Sequence, residues 1–319
     1  MPQKIIIDAD PGIGDALAVL TALVDPSLEV IGLTATAGSV SGRQATRNLK
    51  FLTDLIDPVK DPRIGQSELP VVAPRLSSQA VPTRHSFFGS HGLGDVTVDI
   101  PDLHNRRESA KLIVDLVREF PQEVKLLTLG PLTNLAAACD LDPELPELLD
   151  AIVSLGGVNN ACGDVTPVAE FNIWCDPESA AAILRLPSLK TLIPLDISGT
   201  PVLTFEDVDM LSQLTQSTTN GGVLSSMLQY AIRANRQELG FEGIPLHGIA
   251  ALAVAAKAES FSVDALRGEV ETSGQLTRGM TVIDRRQVVT GQSNLDLVSS
   301  IDAPGVVDYF SRSFRRAAR

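Results

Sequence analysis

Short apolar runs alternate along the chain with longer segments of helical periodicity. The first apolar run is 4–8, and similar runs occupy 28–36, 124–129, 151–155 and 191–195. Runs of this length without a polar face are typical of strands buried on both sides of a parallel sheet. The pattern between these runs predicts helices over 15–24, 42–55 and 177–184, and a helix that runs to residue 138.

This alternation of strand and helix predicts the fold class. Because parallel strands need a crossover connection, usually a helix, the pattern indicates an α/β fold with a doubly wound, mostly parallel sheet and helices on both faces. Beyond residue 200 the pattern is more helical, with candidates over 221–237 and 248–257, while 261–289 has the pattern of short strands and turns. We expect a single domain over 1–319, with a helical elaboration at about 200–258.

Polar or glycine-rich sequence follows four of the predicted strands, at 8–15, 36–41, 129–134 and 156–172. Ligands of open parallel sheets bind outside the carboxyl ends of the strands, where such loops gather. We therefore expect the functional site to be built from these four segments.

Three carboxylates, Asp8, Asp10 and Asp15, crowd the first of these segments around the sequence Pro11-Gly12. Like charges this close repel one another and raise one another's pKa, so a cation is their natural partner. A helix cap at Asp15 and a turn beginning at Asp10 would explain single carboxylates, but not three. The segment therefore predicts a cation site.

The composition narrows the possible partners and the compartment. The chain has 319 residues with 26 basic and 39 acidic side chains, a formal net charge of -13, and such a field repels phosphate backbones and anionic lipid surfaces. The apolar run 249–256 is well short of the roughly 20 residues that span a bilayer. Three cysteines without a CxxC pair favour a reducing compartment. We expect a cytoplasmic protein that binds neither nucleic acid nor membrane.

Several short motifs follow one another in the order in which a known family has them. Residues 8–16 read DADPGIGDA, against the family's D-x-D-P-G-x-D-D-A, and 165–172 read VTPVAEFN. Further motifs are TRN at 46–48, LGPLTN at 129–134, LGG at 155–157, DPE at 176–178 and TRGMT at 277–281. Because the series runs through nearly the whole chain, the sequence resembles the inosine/uridine-preferring nucleoside hydrolases, a family of nucleoside N-ribohydrolases.

The resemblance implies a reaction and a cofactor. The reaction is hydrolysis of the N-glycosidic bond of a nucleoside or nucleoside-like N-riboside, which releases base and sugar. The implied cofactor is a single Ca²⁺ ion bound by Asp10, Asp15 and the backbone carbonyl of Leu129, with Asp10 also the base that activates water. His247 would lie near the leaving base and donate a proton to it.

The resemblance also implies contacts to the ribose. Glu170 and Asn172 occupy family positions that contact its hydroxyls and the positive charge that develops on the sugar. Asp164 and Ser39 stand where the family has asparagines and are candidates for the same role. His91 follows in a loop that resembles the family's His-Gly-x-x-Gly, and is either a ligand contact or a histidine of the loop structure.

Besides Ser39 and Asp164, the sequence departs from the family pattern at three further implied site positions. Gly14 and Gly248 stand where the family has carboxylates, one for the ribose 2-hydroxyl and one for the calcium and the 3-hydroxyl, and Phe88 stands in a histidine position. Asp10, Asp15 and one carbonyl then remain for an ion that takes about 6–8 oxygens. The sequence leaves open whether the metal site is kept.

Three functions stay open on this basis. The first expectation is an active N-ribohydrolase with altered sugar contacts, acting on a modified or non-standard nucleoside. The alternatives are a non-catalytic nucleoside- or sugar-binding protein of the same fold, and a hydrolase of another glycosidic substrate. Retention of Glu170, Asn172 and His247 favours an enzyme. Since family members are often dimers or tetramers, we expect a homodimer or homotetramer.

Overall fold

A computed structural model describes residues 2–67, 85–102, 107–187, 190–215, 218–286 and 292–319. Within these ranges its central element is a nine-stranded sheet, and two short strands pair separately. In chain order the strands are β1 (Gln3–Ala9), β2 (Leu28–Ala35), β3 (Arg63–Gly65), β4 (Val124–Thr128), β5 (Ala151–Leu155), β6 (Lys190–Ile193), β7 (Val202–Leu203), β8 (Ile244–Pro245), β9 (Phe261–Val270), β10 (Thr281–Asp284) and β11 (Leu295–Ile301).

The order of the strands places a crevice at the middle of the sheet. The order is β10-β9-β11-β6-β5-β4-β1-β2-β3, and the neighbours from β11 to β3 are parallel, whereas β9 pairs antiparallel with β11 and β10. The predicted mostly parallel α/β sheet is therefore confirmed. From β1 the chain proceeds to β2 and β3 on one side and then returns to β4 on the other. Ligands of such sheets bind at this reversal, so the ends of β1 and β4 should border the site.

Helices cover both faces of the sheet. They are α1 (Ile13–Val24), α2 (Gly42–Ile56), α3 (His85–Phe88), α4 (Ser109–Glu119), α5 (Thr133–Leu141), α6 (Leu145–Leu148), α7 (Phe171–Cys175), α8 (Pro177–Arg185), α9 (Leu195–Ser198), α10 (Phe205–Thr215), α11 (Thr219–Ala234), α12 (His247–Ala256) and α13 (Ala303–Ala317). Within the described ranges, no helix combines the length and the apolar character needed to cross a bilayer.

Strand β1 shows how the apolar pattern produces a two-sided core. Ile5 and Ile7 pack with side chains of α1, α12 and α13, whereas Ile6 packs on the opposite face with side chains of α4 and α5. All three isoleucines are fully buried. Because successive side chains of a strand point to opposite faces, a strand covered by helices on both sides must be apolar throughout.

The structure differs from the sequence prediction at several boundaries. Helix α1 begins at Ile13 rather than at residue 15. The helix predicted over 221–237 is α11 followed by a π-helical turn, Asn235–Leu239, which ends at Gly240 with a φ of 64°. The segment predicted as short strands contains the ten-residue strand β9, and its residues 287–289 lie outside the described ranges. Strand β9 lacks the continuous apolar run used to predict the other strands, because its residues 262–265 are exposed.

Candidate active site

A cavity of about 470 Å³ lies at the carboxyl ends of β1, β4 and β5. Asp10, Leu129 and Gly156, which directly follow these strands, contribute to its lining. The remaining walls come from the start of α1, the segment 164–172, the π-helical turn and the first residues of α12, with Phe87, Phe88 and single residues of neighbouring elements. A mostly apolar cavity with a few convergent polar groups is typical of a small-molecule site. The cavity lies where the strand-end rule predicted it.

Asp10 is fixed on the floor of this cavity by close backbone contacts. Its side chain is 2% exposed, and the backbone N–H of Ser39 donates a hydrogen bond to its Oδ2. A Cβ atom at Gly38 or at Gly130 would overlap one of the two carboxyl oxygens. Glycine at both positions is therefore what allows the ends of β2 and β4 to close around the carboxyl of Asp10.

Asp15 lies in the first turn of α1 and lines the cavity together with Asp10. Burial raises the pKa of Asp10 to about 6. Burial, followed by the charge of Asp10, raises the pKa of Asp15 well above its ordinary value. Either a cation or a shared proton relieves this repulsion. The pair therefore has the electrostatic character that the sequence predicted for this bend.

Asp8, the third carboxylate of the acidic segment, lies behind the cavity rather than in its lining. Its Oδ1 accepts hydrogen bonds from Thr34 Oγ1 at 2.6 Å and from Asn134 Nδ2 at 2.8 Å, and burial raises the pKa of Asp8 to about 7. Asp8 thus links β1 to β2 and to α5. Of the three carboxylates expected to form one cluster, Asp10 and Asp15 line the cavity, whereas Asp8 has a structural role.

Asn172 joins the ends of β4 and β5. Its Nδ2 donates to the carbonyl oxygen of Leu129 at 2.6 Å and to that of Leu155 at 3.1 Å. Since these two bonds use both amide hydrogens, Asn172 presents its Oδ1 acceptor to a ligand. The Leu129 carbonyl, predicted as a metal ligand, keeps a second lone pair. Leu129 and Asn172 both line the cavity.

Glu170 lines the cavity, but its carboxyl is committed to backbone groups. Its Oε1 accepts from the N–H of Asn172 at 2.9 Å, and its Oε2 accepts from the N–H groups of Gly157 at 2.9 Å and Ile173 at 3.2 Å. Burial, followed by the charge of Asp164, raises the pKa of Glu170 to about 8. Glu170 therefore caps α7 and orders the turn after β5, in addition to any contact with a ligand.

Asp164 and Ser39, the two residues in family asparagine positions, also line the cavity. Asp164 Oδ1 accepts the backbone N–H of Phe171 at 2.9 Å, while Ser39 approaches Asp10 through its backbone. His91 lies outside the cavity lining. Its Nδ1 accepts the backbone N–H of Val98 at 3.3 Å, which favours the loop role of the two that the sequence allows, while a ligand contact stays a prediction.

His247 is the first residue of α12, and its imidazole lines the cavity. Its Nδ1 lies 2.9 Å from the hydroxyl oxygen of Ser198. The structure therefore brings His247 to the same cavity as Asp10 and Asp15, on an element more than 200 residues away in the chain.

Gly14 and Gly248, where the resemblance led us to expect carboxylates, lie close together, with the Gly14 carbonyl beside Gly248. A Cβ atom at Gly14 would have no other atom within 4 Å, whereas one at Gly248 would lie 3.1 Å from the carbonyl oxygen of Gly14. Beside them, the ring of Phe88 covers Gly12 and meets the ring of Phe87 edge-on at 4.8 Å. The cavity therefore has free space beside Gly14 and little space beside Gly248. The aromatic side chains of Phe87 and Phe88 form part of its lining.

Sequence reasoning missed some of the residues that line this cavity. Ser198 follows the end of β6, so the strand-end rule would have found it if that strand had been included. Asn235 and Leu239 belong to the π-helical turn, whose extra residue leaves no signal in the apolar pattern. Such turns occur frequently at functional sites.

The donors in the cavity fit a hard cation in kind. The carboxylates of Asp10 and Asp15 and the Leu129 carbonyl are oxygen ligands of the type that Ca²⁺ prefers. In the part of the chain that the structure describes, no group of three or more His, Cys, Asp and Glu side chains could hold a metal ion. These donors therefore suit an ion that takes its remaining ligands from water and from substrate hydroxyls.

The chain is similar to known proteins over nearly its full length. Residues 5–308 match the family model described as inosine-uridine preferring nucleoside hydrolase. The chain is 32% identical over 318 residues to a probable uridine nucleosidase 1 of Oryza sativa subsp. japonica, covering 96% of this chain and 95% of the relative. It is 29% identical over 317 residues to a pyrimidine-specific ribonucleoside hydrolase RihA of Salmonella arizonae, covering 99% of each.

The fold shows the same relationship. It superposes on a purine-preferring ribonucleoside hydrolase from Gardnerella vaginalis with a TM-score of 0.88 and 28% identity, covering 99% of each chain. It also superposes on a plant nucleoside hydrolase with a TM-score of 0.85 and 26% identity, covering 98% of this chain and 99% of the other. All four of these relatives are named as hydrolases or nucleosidases, and none as a non-catalytic binding protein.

The buried carboxyl of Glu170 predicts a pH-dependent contribution to stability. Its pKa in the folded protein is about 8, against an ordinary value of 4.5, so the folded state holds this proton more tightly than the unfolded state does. The resulting stabilisation is fully present below pH 4.5 and is lost as the pH rises through 8. We expect the free energy of unfolding of the wild type, relative to Glu170→Gln, to fall by more than about 1 kcal/mol across this window.

Urea denaturation at a series of pH values measures this difference. Glu170→Gln also places an amide N–H₂ against backbone donors, which lowers stability at every pH without changing the slope. Parallel stability curves for the two proteins would contradict the prediction.

Proposed function

The chain belongs to the inosine-uridine preferring nucleoside hydrolase family and hydrolyses the N-glycosidic bond of nucleosides, and from this premise we propose that the reaction takes place in the cavity at the carboxyl ends of β1, β4 and β5. The proposal is supported by the convergence of Asp10, which is buried, and Asp15 in the lining of one cavity. Two carboxyls held together in an otherwise mostly apolar cavity can bind a cation and activate water.

Asp10 acts as the base in this proposal. The Asp10 carboxylate accepts a proton from a water molecule that attacks the anomeric carbon of the sugar. At the same time the electron pair of the C–N bond leaves with the nucleobase. The N–H of Ser39 and the glycines at 38 and 130 hold the carboxyl in one orientation. Fixed orientation matters because general base catalysis requires the carboxylate within hydrogen-bond reach of the water.

The proposed cofactor is Ca²⁺, held by Asp10, Asp15 and the carbonyl of Leu129. When bound, such an ion neutralises the two carboxylates and favours deprotonation of water. Because positions 14 and 248 are glycines and have no carboxylate, water and substrate hydroxyls supply the remaining ligands. We expect a lower affinity than for a site with additional carboxylates, since Ca²⁺ affinity follows ligand charge and count.

Polar groups of the cavity stabilise the sugar as its charge develops. Loss of the base gives the ribose oxocarbenium character, so oxygen atoms around the ring stabilise the transition state more than the ground state. In this proposal Asn172 Oδ1 and the carboxyl of Asp164 contact the sugar, and the carboxyl of Glu170 adds negative charge beside it while it caps α7. His247 donates a proton to the leaving base, and such positioned proton transfer contributes roughly 10²–10⁴-fold.

The sugar of the substrate is recognised without carboxylates at Gly14 and Gly248. The space beyond Gly14 is empty within 4 Å, so this part of the cavity admits a modified or non-standard sugar. We infer that the preferred substrate is a nucleoside that does not depend on an acidic contact to its 2-hydroxyl. We also propose a cytoplasmic location and a homodimer or homotetramer, as in the expectations from the sequence.

The first experiment replaces the proposed base. We expect Asp10→Asn to lower base release by about 10²–10⁴-fold, because an amide cannot accept the proton of the attacking water. Base release is measured with a panel of ribonucleosides, 2-deoxynucleosides and modified nucleosides, with added Ca²⁺ and with chelator. Asp61→Asn, at an exposed carboxyl far from the cavity lining, is the control. Wild-type turnover by a folded Asp10→Asn variant would contradict the assignment.

The second experiment restores a carboxylate at position 14. The open space there accepts an Asp side chain, and an acidic residue is favourable in the first turn of a helix. We expect Gly14→Asp to raise kcat/KM for ribonucleosides relative to 2-deoxynucleosides by about tenfold or more, the effect of one charge-assisted hydrogen bond to the 2-hydroxyl.

A matched glycine provides the control for this substitution. Gly222 in α11 also has no atom within 4 Å of an added Cβ, and it lies outside the cavity lining. Gly222→Asp should leave the ratio of the two kcat/KM values unchanged. An unchanged ratio in a folded Gly14→Asp variant would contradict the inferred placement of the sugar beside α1.

A further inference from the structure

Ser198 lies at the end of α9, against the imidazole of His247. The serine is completely buried, and both residues contribute to the cavity lining. Its hydroxyl oxygen is 2.9 Å from His247 Nδ1 and 3.3 Å from the carbonyl oxygen of Leu195. A buried hydroxyl placed between a ring nitrogen and a carbonyl fixes both the orientation and the protonation pattern of the ring.

The hydrogen-bond chemistry of this triad is restrictive. The Ser198 hydroxyl donates its single hydrogen either to an unprotonated Nδ1 of His247 at 2.9 Å or to the Leu195 carbonyl at 3.3 Å, and when Nδ1 is protonated only the carbonyl can take it. The hydroxyl oxygen then accepts the Nδ1–H of His247. This arrangement is compatible with a doubly protonated imidazole, in which both ring nitrogens donate. With Nδ1 bonded to the serine, the proton that can pass to a ligand is the one on Nε2.

The neighbouring glycine provides the space that this orientation needs. A Cβ atom at Gly199 would lie 3.0 Å from Cε1 of His247. The φ of Gly199 is -82°, a value that any residue adopts, so glycine is not required there by the backbone. The close approach of the imidazole explains why a side chain is disfavoured at this position.

We propose that Ser198 is a positioning residue that holds His247 with Nε2 directed at the leaving base and stabilises its proton-donating form. The inference rests on the proposed role of His247. As the C–N bond breaks, its electron pair passes to the base, a base nitrogen takes the proton from Nε2, and His247 becomes neutral. The Leu195 carbonyl and the serine hydroxyl keep Nδ1 protonated through this step.

A comparison of two leaving groups tests the proposal. Nucleoside bases need a proton to leave, whereas p-nitrophenolate leaves as a stable anion without one. We expect Ser198→Ala to lower kcat for nucleosides by about tenfold or more, part of the contribution of a general acid. Turnover of the p-nitrophenyl glycoside of the same sugar should change less than about twofold, because no proton transfer to the leaving group is needed.

Three further variants make the result specific. Ser198→Thr keeps the hydroxyl and should retain nucleoside turnover. Thr200→Ala removes an exposed hydroxyl that donates to the Ile197 carbonyl at 2.8 Å in the same loop, and should leave both substrates unaffected. His247→Ala should show the same selective loss as Ser198→Ala. Melting temperatures of all variants verify that they are folded.

The possible results separate this inference from the proposed function. Equal loss on both substrates in Ser198→Ala, or no loss on either, overturns the positioning role. Selective loss in His247→Ala without selective loss in Ser198→Ala overturns the inference about Ser198 and leaves the role of His247 intact. Absence of selective loss in His247→Ala overturns the proton-donor role itself, and with it the inference.

Discussion

The site depends on two carboxyls, Asp10 and Asp15, that come together in one cavity at the bend that follows β1. Bringing like charges together in a mostly apolar cavity is unfavourable unless something compensates them. The surroundings are arranged to support this pair. Glycines at 38 and 130 admit the Asp10 carboxyl, Asp8 joins β1 to β2 and α5, and Asn172 ties the ends of β4 and β5. An energetically costly arrangement that the fold supports from several elements is characteristic of a functional site.

The replacement of carboxylates by Gly14 and Gly248 changes what this bend can recognise. In the proposed mechanism the remaining donors activate water and bind a cation, and the oxygens after β5 contact the sugar. The two glycines are not equivalent, because Gly14 borders open space and Gly248 packs against the Gly14 carbonyl. A change at position 14 alone therefore alters the cavity without disturbing α12.

Much of the fold could be predicted from sequence, because strands buried on both faces and their connecting helices leave strong periodic signals. The position of Asp10 and Asp15 also followed from the strand-end rule. Other features depend on contacts distant in sequence. The loop role of His91 depends on the Val98 backbone, the Ser198–His247 contact joins elements far apart in the chain, and the π-helical turn at 235–239 leaves no periodic signal. Asp8 could have been assigned from alternation, since it shares a face of β1 with the core residue Ile6.

The most direct test of the account is a crystal structure of the wild-type protein grown with Ca²⁺ and the sugar product. We expect an ion with oxygen ligands from Asp10, Asp15 and the Leu129 carbonyl at about 2.3–2.6 Å, with sugar hydroxyls completing its coordination. A sugar bound away from this bend, or a protein side chain filling the space between the two carboxyls and the carbonyl, would contradict it.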